Sequence, residues 1–409
     1  VNLKLKSTSD HIDQTVRITG SKSESNRLLL LQALYPEISI ENVSNSDDSV
    51  LMRKALETKG NATVDIHHAG TAMRFLTSYF AVQEGREVVL TGSQRMKERP
   101  IKILVDALRQ LGADITYQEN EGYPPLLIKG KKLDRNEVSM SANVSSQYLS
   151  SLLLIAPRLS KGMTLDLQGE ITSRPYLLMT LNLLSQLGVK SDFNGNTIRV
   201  YPAENAEAKT MVVESDWSSA SYFYSLAALS DTARIELSSY REDSLQGDSA
   251  LAGIYTKLGV TTRFEENSVV LTKNKEAVIS DTLELDLVSS PDIAQTIVVS
   301  CFGLGIACHL TGLHTLKIKE TDRLEALKTE LSKLGAEIEV TDHSLSLKAS
   351  GKINENIAID TYHDHRMAMA FAPLALRIPL IINDAGVVSK SYPDFWKDLE
   401  QLGIENEEL

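Results

Sequence analysis

The sequence predicts an α/β protein of two domains, each built from three repeated α/β units with buried, parallel helices inside. Three observations lead there. One amphipathic pattern recurs six times and closes each time on a glycine. A second set of helices, apolar on nearly every face, interleaves with it. And 409 residues exceed what a single core of ordinary size holds.

The first pattern is a surface helix followed by a strand. "LMRKALETKGNATVDI" closes at Gly60, "ILVDALRQLGADITY" at Gly112, "LNLLSQLGVKSDF" at Gly188, "LAGIYTKLGVTTRF" at Gly259, "LKTELSKLGAEIEV" at Gly335 and "FWKDLEQLGI" at Gly403. A glycine just past a helix adopts the left-handed conformation that closes the last turn. Alternating residues after it read as a strand. The glycines recur roughly every 50–80 residues, longer than the common solenoid periods and suited to a small α/β unit.

The second set comprises "SNRLLLLQALY", "TAMRFLTSYFAV", "SSQYLSSLLLIA", "SSASYFYSLAALS", "PDIAQTIVVSCF" and "DHRMAMAFAPLAL". Helices apolar all round are buried. Each unit therefore contributes one buried and one surface helix, and six units give two domains of three. The last copy shows almost no strand after Gly403, and the orphan strand Asn2 to Lys6 is expected to complete it. That assigns residues 1–20 and 215–409 to one domain and 21–214 to the other, with the chain crossing near Gly20 and Glu214.

Composition narrows the function. Hydrophobic residues make up 42% and charged residues 23% of the chain, as in a soluble globular protein. A net charge of -12 argues against a general nucleic-acid binder. Clustered cations in so acidic a chain point to a local anion site. Cys301 and Cys308 build neither a disulfide framework nor a four-thiolate zinc site. With no apolar signal core at the start and no apolar run long enough to span a bilayer, a reducing cytoplasm is expected.

Each buried helix is preceded by a polar cluster: "GSKSESNR", "HHAGTAMR", "NVSSQY", "ESDWSS", "SSPDIAQ" and "YHDHRMA". A helix N-terminus binds anions through its free N–H groups and macrodipole. Capping accounts for "NVSSQY" and "DWSSAS". In "GSKSESNR" it accounts for one serine and leaves Lys22 and Arg27 over. In "AGTAMR" it accounts for Thr71, while Arg74 needs a partner on an apolar face. "RMKERP" carries three cations in six residues, of which Arg95 and Lys97 suit a solvated loop. "KIKETDRLEAL" opens a surface helix capped by Thr321 or Asp322, with Lys319, Glu320 and Arg323 spaced to share a helical face. Neither a helical His-x-x-x-His pair nor a Cys-x-x-Cys occurs, so no metal is expected at His363 and His365. The Walker and dinucleotide glycine loops are also missing.

Taken together these stretches resemble the EPSP synthase family of enolpyruvyl transferases. The resemblance runs in order through "GSKSESNR", "AGTAMR", "LTGSQRMKERPI", "VSSQYL", "SRPY", "SSASYF", "LQGD", "PDIAQT", "KETDRL", "DHRMAMA" and "KSYPDF", from Gly20 to Tyr392. It implies an enolpyruvyl transferase-like fold with the active site in the cleft between the domains. It implies transfer of the enolpyruvyl group of phosphoenolpyruvate to the 5-hydroxyl of shikimate 3-phosphate through a tetrahedral intermediate, with no metal and no organic cofactor. Lys22, Asp292 and Glu320 are the implied catalytic residues. The shikimate 3-phosphate site would use Lys22, Ser23, Arg27, Ser145, Ser146, Gln147, Ser173, Tyr176, Asp292, Thr315 and Lys319. Phosphoenolpyruvate would meet Lys22, Gly70, Arg99, Gln147, Arg323, Arg366 and Lys390. Asp292 is the candidate base for the 5-hydroxyl and Glu320 the candidate proton donor to the methylene carbon.

Partners are thus small anionic substrates, with no nucleic acid, no membrane and a monomeric chain expected. The substrates' charge is expected to draw the halves together. The sequence departs from the common family pattern at His68, Phe75 and Thr315, where asparagine, proline and asparagine are usual. Gly70 and Thr71 are the residues of glyphosate-sensitive members, so inhibition by glyphosate is expected. Two alternatives stand beside this reading: the related transferase acting on UDP-N-acetylglucosamine, which typically carries a loop cysteine that "RMKERP" lacks, and an inactive binding protein of the same fold.

Overall fold

The computed structural model describes residues 1–171 and 174–409. The chain forms two compact units, Gly20–Val213 on the one hand and Val1–Thr19 with Glu214–Leu409 on the other. Each unit encloses an apolar core of its own.

Six buried helices carry those cores: α1 (Lys22–Leu34), α2 (Gly70–Ala81), α3 (Ser146–Ile155), α4 (Trp217–Leu229), α5 (Ala294–Leu304) and α6 (His365–Phe371). Every residue of α2 and of α4 is buried. Their many hydroxyls bond from helix to helix, which removes the penalty of burying them. Ser78 of α2 meets Ser151 of α3 at 2.5 Å, and Ser221 of α4 meets Thr296 of α5 at 2.9 Å. The surface helices are Asp47–Glu57, Lys102–Gln110, Arg174–Gln186, Leu251–Thr256, Arg323–Lys333 and Phe395–Gln401.

Among the described residues each unit holds three sheets. One example shows the repeat. Ala62–Asp65 pairs parallel with Glu87–Thr91 across α2, and the surface helix Lys102–Gln110 follows. The hairpin Asp114–Tyr117 and Leu126–Lys129 then adds to the sheet antiparallel. Four other sheets share this plan of one parallel pair and two antiparallel pairs. The sixth is reduced to Ser39–Glu41 beside Thr210–Val212. All six repeat glycines have positive φ, from 64° at Gly60 to 101° at Gly112. The helix before Gly60 ends earlier than the pattern suggests, at Glu57.

The C-terminal copy corrects one expectation. Ile404–Glu408 is a strand of five residues, so the last unit does have its own. Leu3–Ser7 lies antiparallel beside it, with Leu5 opposite Asn406, and also pairs with Leu380–Ile382. His11–Val16 opens the next repeat, parallel to Thr232–Ser238. No helix among the described residues is long and apolar enough to cross a membrane.

Candidate functional site

In the Gly20–Val213 unit the opening motif begins where only glycine fits. A Cβ on Gly20 would stand 2.0 Å from the Asn42 carbonyl oxygen and 2.5 Å from Val213 Cγ1. Ser21 then caps α1 by accepting from the Glu24 amide at 3.2 Å. One turn on, Arg27 is 2% exposed. Its Nε donates to Thr180 Oγ1 at 2.8 Å, its Nη1 to the Ser23 carbonyl at 2.7 Å and its Nη2 to Ser150 Oγ at 2.7 Å. The guanidinium lies 5.4 Å from the centre of the Phe75 ring and 5.7 Å from that of Tyr176. Phe75, which departs from the family pattern, thus forms one wall of the Arg27 cage. Burial pushes the Arg27 guanidinium down to about 10, only partly opposed by Tyr176 and Glu24.

α2 begins at Gly70 without a side-chain cap from its own Ala69. Asp48, 6% exposed, supplies one from elsewhere by accepting from the Thr71 amide at 3.3 Å and the Ala72 amide at 3.2 Å. Asn26 of α1 donates to the same carboxylate at 2.8 Å. Thr71 is therefore not the cap that its position suggests. Its hydroxyl instead accepts from Gln147 Nε2 at 3.1 Å, which ties the start of α3 to that of α2. Ser145 caps α3 by accepting from the Gln147 amide, and Ser146 is the first residue of that helix.

Gly70 lies against two guanidiniums. A Cβ there would fall 2.6 Å from Arg99 Nη1 and 3.1 Å from Arg74 Nη1. "RMKERP" forms a short helix, Gln94–Lys97, capped by Ser93. Arg95 pairs with Glu98 and Lys97 with Glu119 on the surface. Arg99 makes no ion pair among the described residues, and neither do Lys22, Arg27 or Arg74. His68 is paired to Asp47 at 3.3 Å. Ser173 lies outside the described residues.

The other unit builds a cluster of mixed sign. Arg323, 1% exposed, is its hub. Nη1 donates to Asp292 at 2.9 Å, Nη2 to Glu320 at 2.7 Å and Nε to Asp364 at 2.6 Å. Lys319 Nζ lies 3.4 Å and Arg366 Nη2 3.5 Å from the Asp292 carboxylate. Burial pushes Asp292 up, but Lys319, Arg366 and Arg323 outweigh it and hold the carboxyl well below its usual range. For Arg323, burial is outweighed by Asp364, Glu320 and Asp292, which keep the guanidinium charged. The spacing argument for this stretch needs correcting. The helix starts at Arg323 with Asp322 as its cap, so Lys319 and Glu320 precede it and share no helical face with Arg323.

Arg366 is the second residue of α6, whose cap Asp364 accepts from its amide at 2.9 Å. Its Nη2 also donates to Ser218 Oγ at 3.3 Å, and the Ser218 hydroxyl donates to Asp248. Lys390 Nζ donates to the His363 carbonyl at 2.7 Å. The hydroxyl of Thr315 is buried with no hydrogen-bond partner among the described residues. His363 pairs with Asp384 on the surface, and no group of three His, Cys, Asp or Glu among the described residues is arranged to hold a metal ion.

Three carboxylates that complete these clusters escaped sequence reasoning: Asp48, Asp248 and Asp364. Asp364 had a signal, an acid just before the helix that starts with His365 and carries Arg366. Asp248 lies within "LQGD" and Asp48 behind the Ser46 cap, and neither spacing announces a distant helix as partner.

A family model of EPSP synthase (3-phosphoshikimate 1-carboxyvinyltransferase) matches residues 52–399. The chain is 46% identical over 404 residues to the 3-phosphoshikimate 1-carboxyvinyltransferase of Bacteroides fragilis (strain YCH46), with 98% of each chain covered. It is 37% identical over 420 residues to the protein of that name from Photobacterium damsela subsp. piscicida, covering 96% of this chain and 97% of the other. Among solved structures, EPSP synthase from Acinetobacter baumannii matches the fold with a TM-score of 0.80 at 20% identity, both chains covered in full. Matched along most of its length by that model and by relatives of that name, the chain belongs to the EPSP synthase family.

Proposed function

We propose that this chain transfers the enolpyruvyl group of phosphoenolpyruvate to the 5-hydroxyl of shikimate 3-phosphate and releases phosphate. The observation that carries the reading is Asp292, a largely buried carboxylate held between Lys319, Arg323 and Arg366. With both substrates anionic, cations that now neutralise Asp292 acquire competing partners. Their engagement by substrate lets the carboxyl rise and take the proton of the 5-hydroxyl.

The hydroxyl oxygen then adds to the substituted enol carbon, while Glu320 gives a proton to the methylene carbon to form a methyl group. In the second step Glu320 removes a proton from that methyl, the double bond re-forms and phosphate leaves. Lys22 neutralises charge on both substrates. Arg27, Ser23, Ser145, Ser146, Gln147, Ser173, Tyr176, Thr315 and Lys319 serve shikimate 3-phosphate. Gly70, Arg99, Gln147, Arg323, Arg366 and Lys390 serve phosphoenolpyruvate. Fixed cations around charge that moves between oxygens supply most of the acceleration. The reading requires both units to act on one pair of substrates.

The test is release of inorganic phosphate on mixing the chain with both substrates. Release with UDP-N-acetylglucosamine in place of shikimate 3-phosphate would favour the related transferase, and release with neither acceptor a binding protein. We further propose that the chain works in the cytoplasm, where its buried free thiols Cys301 and Cys308 stay reduced. We propose that it acts as a monomer, which sedimentation at assay concentration checks.

A further inference from the structure

We propose that Glu330 is a positioning residue for phosphoenolpyruvate, holding through Tyr362 and the Asp360 amide the turn that aims His363 and Asp364 at Lys390, Arg323 and Arg366. The proposal deepens the reading above and rests on it. Glu330 lies seven residues past Arg323 on the surface helix Arg323–Lys333, which puts both on one face. It is wholly buried. A buried carboxylate is costly unless it is paired and fully hydrogen-bonded. Oε1 accepts from the Tyr362 hydroxyl at 2.6 Å and Oε2 from the Asp360 amide at 3.1 Å. Lys333 Nζ lies 2.8 Å from Oε2, but it also pairs with the exposed Asp360 at 2.8 Å. Neutralising Lys333 therefore does not by itself call for a buried acid. What the buried position adds is the grip on residues 360–362.

That grip opposes a strained backbone. Tyr362 and His363 have φ of 53° and 56°. Two successive non-glycine residues in the left-handed region are disfavoured, and they persist only where the surroundings over-determine them. Here they turn the chain sharply just before α6. On leaving the turn, the His363 carbonyl accepts from Lys390 Nζ at 2.7 Å. Asp364 accepts from Arg323 Nε at 2.6 Å and from the Arg366 amide at 2.9 Å. All three cations belong to the phosphoenolpyruvate set.

Helix and turn are thus clamped at two points, Arg323 to Asp364 and Glu330 to Tyr362 and Asp360. Releasing the second clamp lets Tyr362 and His363 relax out of the left-handed region. The His363 carbonyl and the Asp364 carboxylate then turn away together, and the cations they hold lose their aim. Lys319, which serves shikimate 3-phosphate, meets Asp292 outside this turn. The loss therefore falls on one substrate more than on the other.

The experiment uses the full chain and Tyr362→Phe, which deletes one hydroxyl from an exposed ring and keeps its bulk. Glu330→Gln, which keeps the shape and one acceptor oxygen, is the second variant. Steady-state kinetics with each substrate varied and thermal melting are the readouts. In Tyr362→Phe, KM for phosphoenolpyruvate is expected to rise about tenfold. KM for shikimate 3-phosphate and kcat at saturation should move much less. Glu330→Gln should shift the same ratio of KM values in the same direction. A lower melting point with both KM values unchanged would make the contact structural and end the proposal. An equal rise of both KM values would overturn it too, since the whole unit would then have loosened. If Tyr362→Phe does not fold, Glu330→Gln decides alone by the same ratio. A parent chain that does not saturate with phosphoenolpyruvate sinks the functional reading, and this proposal with it, which the variants alone cannot do.

Discussion

Arg323 Nη1 donates to the Asp292 carboxylate at 2.9 Å, joining two residues 31 positions apart. Asp292 belongs to the turn before α5, and Arg323 starts a surface helix yet is almost wholly buried. This unit's cluster is therefore neutralised from within. The other unit's cations, Lys22, Arg27, Arg74 and Arg99, make no such pairs among the described residues. In the Arg323 cluster Asp292, Glu320 and Asp364 balance the charge of the cations they meet.

Replacing Asp292→Asn keeps the shape and removes the base. Turnover is expected to fall by about 10²–10⁴-fold. Shikimate 3-phosphate should still bind, since Lys319 and Arg366 are then freer for an anion. Phosphate release measures the first effect and calorimetry the second. Turnover within a few-fold of the parent would take Asp292 out of the chemistry.

Gly70→Ala puts a methyl 2.6 Å from Arg99 Nη1 and 3.1 Å from Arg74 Nη1. Real side chains do not tolerate that distance, and the end of the flexible Arg99 is what gives way. KM for phosphoenolpyruvate is expected to rise about tenfold or more, with the fold intact by circular dichroism. Glyphosate, expected to inhibit the parent at millimolar concentration, should inhibit this variant less. Equal inhibition curves would show that Arg99 does not need that space.

Asp48→Ala removes the cap of α2 and leaves the Thr71 and Ala72 amides and the Asn26 side chain without their acceptor. A loss of about 1–3 kcal/mol is expected in urea unfolding. Asp48→Asn, which keeps one acceptor oxygen, should recover part of it. An effect below about 0.5 kcal/mol would mean that water replaces the carboxylate at no penalty.

Asp248 gives a pH signature. Burial, with Asp292 nearby, pushes its carboxyl from 3.8 up to about 6. Between those values the folded chain binds a proton that the unfolded chain does not, so this group's contribution to stability falls as pH rises through that window. Above it the penalty is complete, on the order of 2–3 kcal/mol. Asp248→Asn should therefore be more stable than the parent near pH 7, with the gap closing as pH falls toward 4. Parallel stability curves over that range would show that the carboxyl is not shifted.

Much of the fold was legible because its signals are local. A left-handed glycine such as Gly112 or Gly335 closes a helix by steric rules of a few residues, and an unbroken apolar run such as Trp217–Leu229 reads as buried wherever it lies. Family motifs made the candidate residues legible too, Lys22 and Arg323 among them. What the sequence by itself determined, then, is the repeat, the six buried helices, the family and the residue types of the site. Only tertiary structure decided charge and partnership. Whether Arg323 meets three carboxylates, Arg74 none, or Asp48 the helix of Thr71 depends on which residues distant in the chain are packed together. Electrostatic energies follow distance and burial in space, and neither quantity is written in the spacing of residues along the chain.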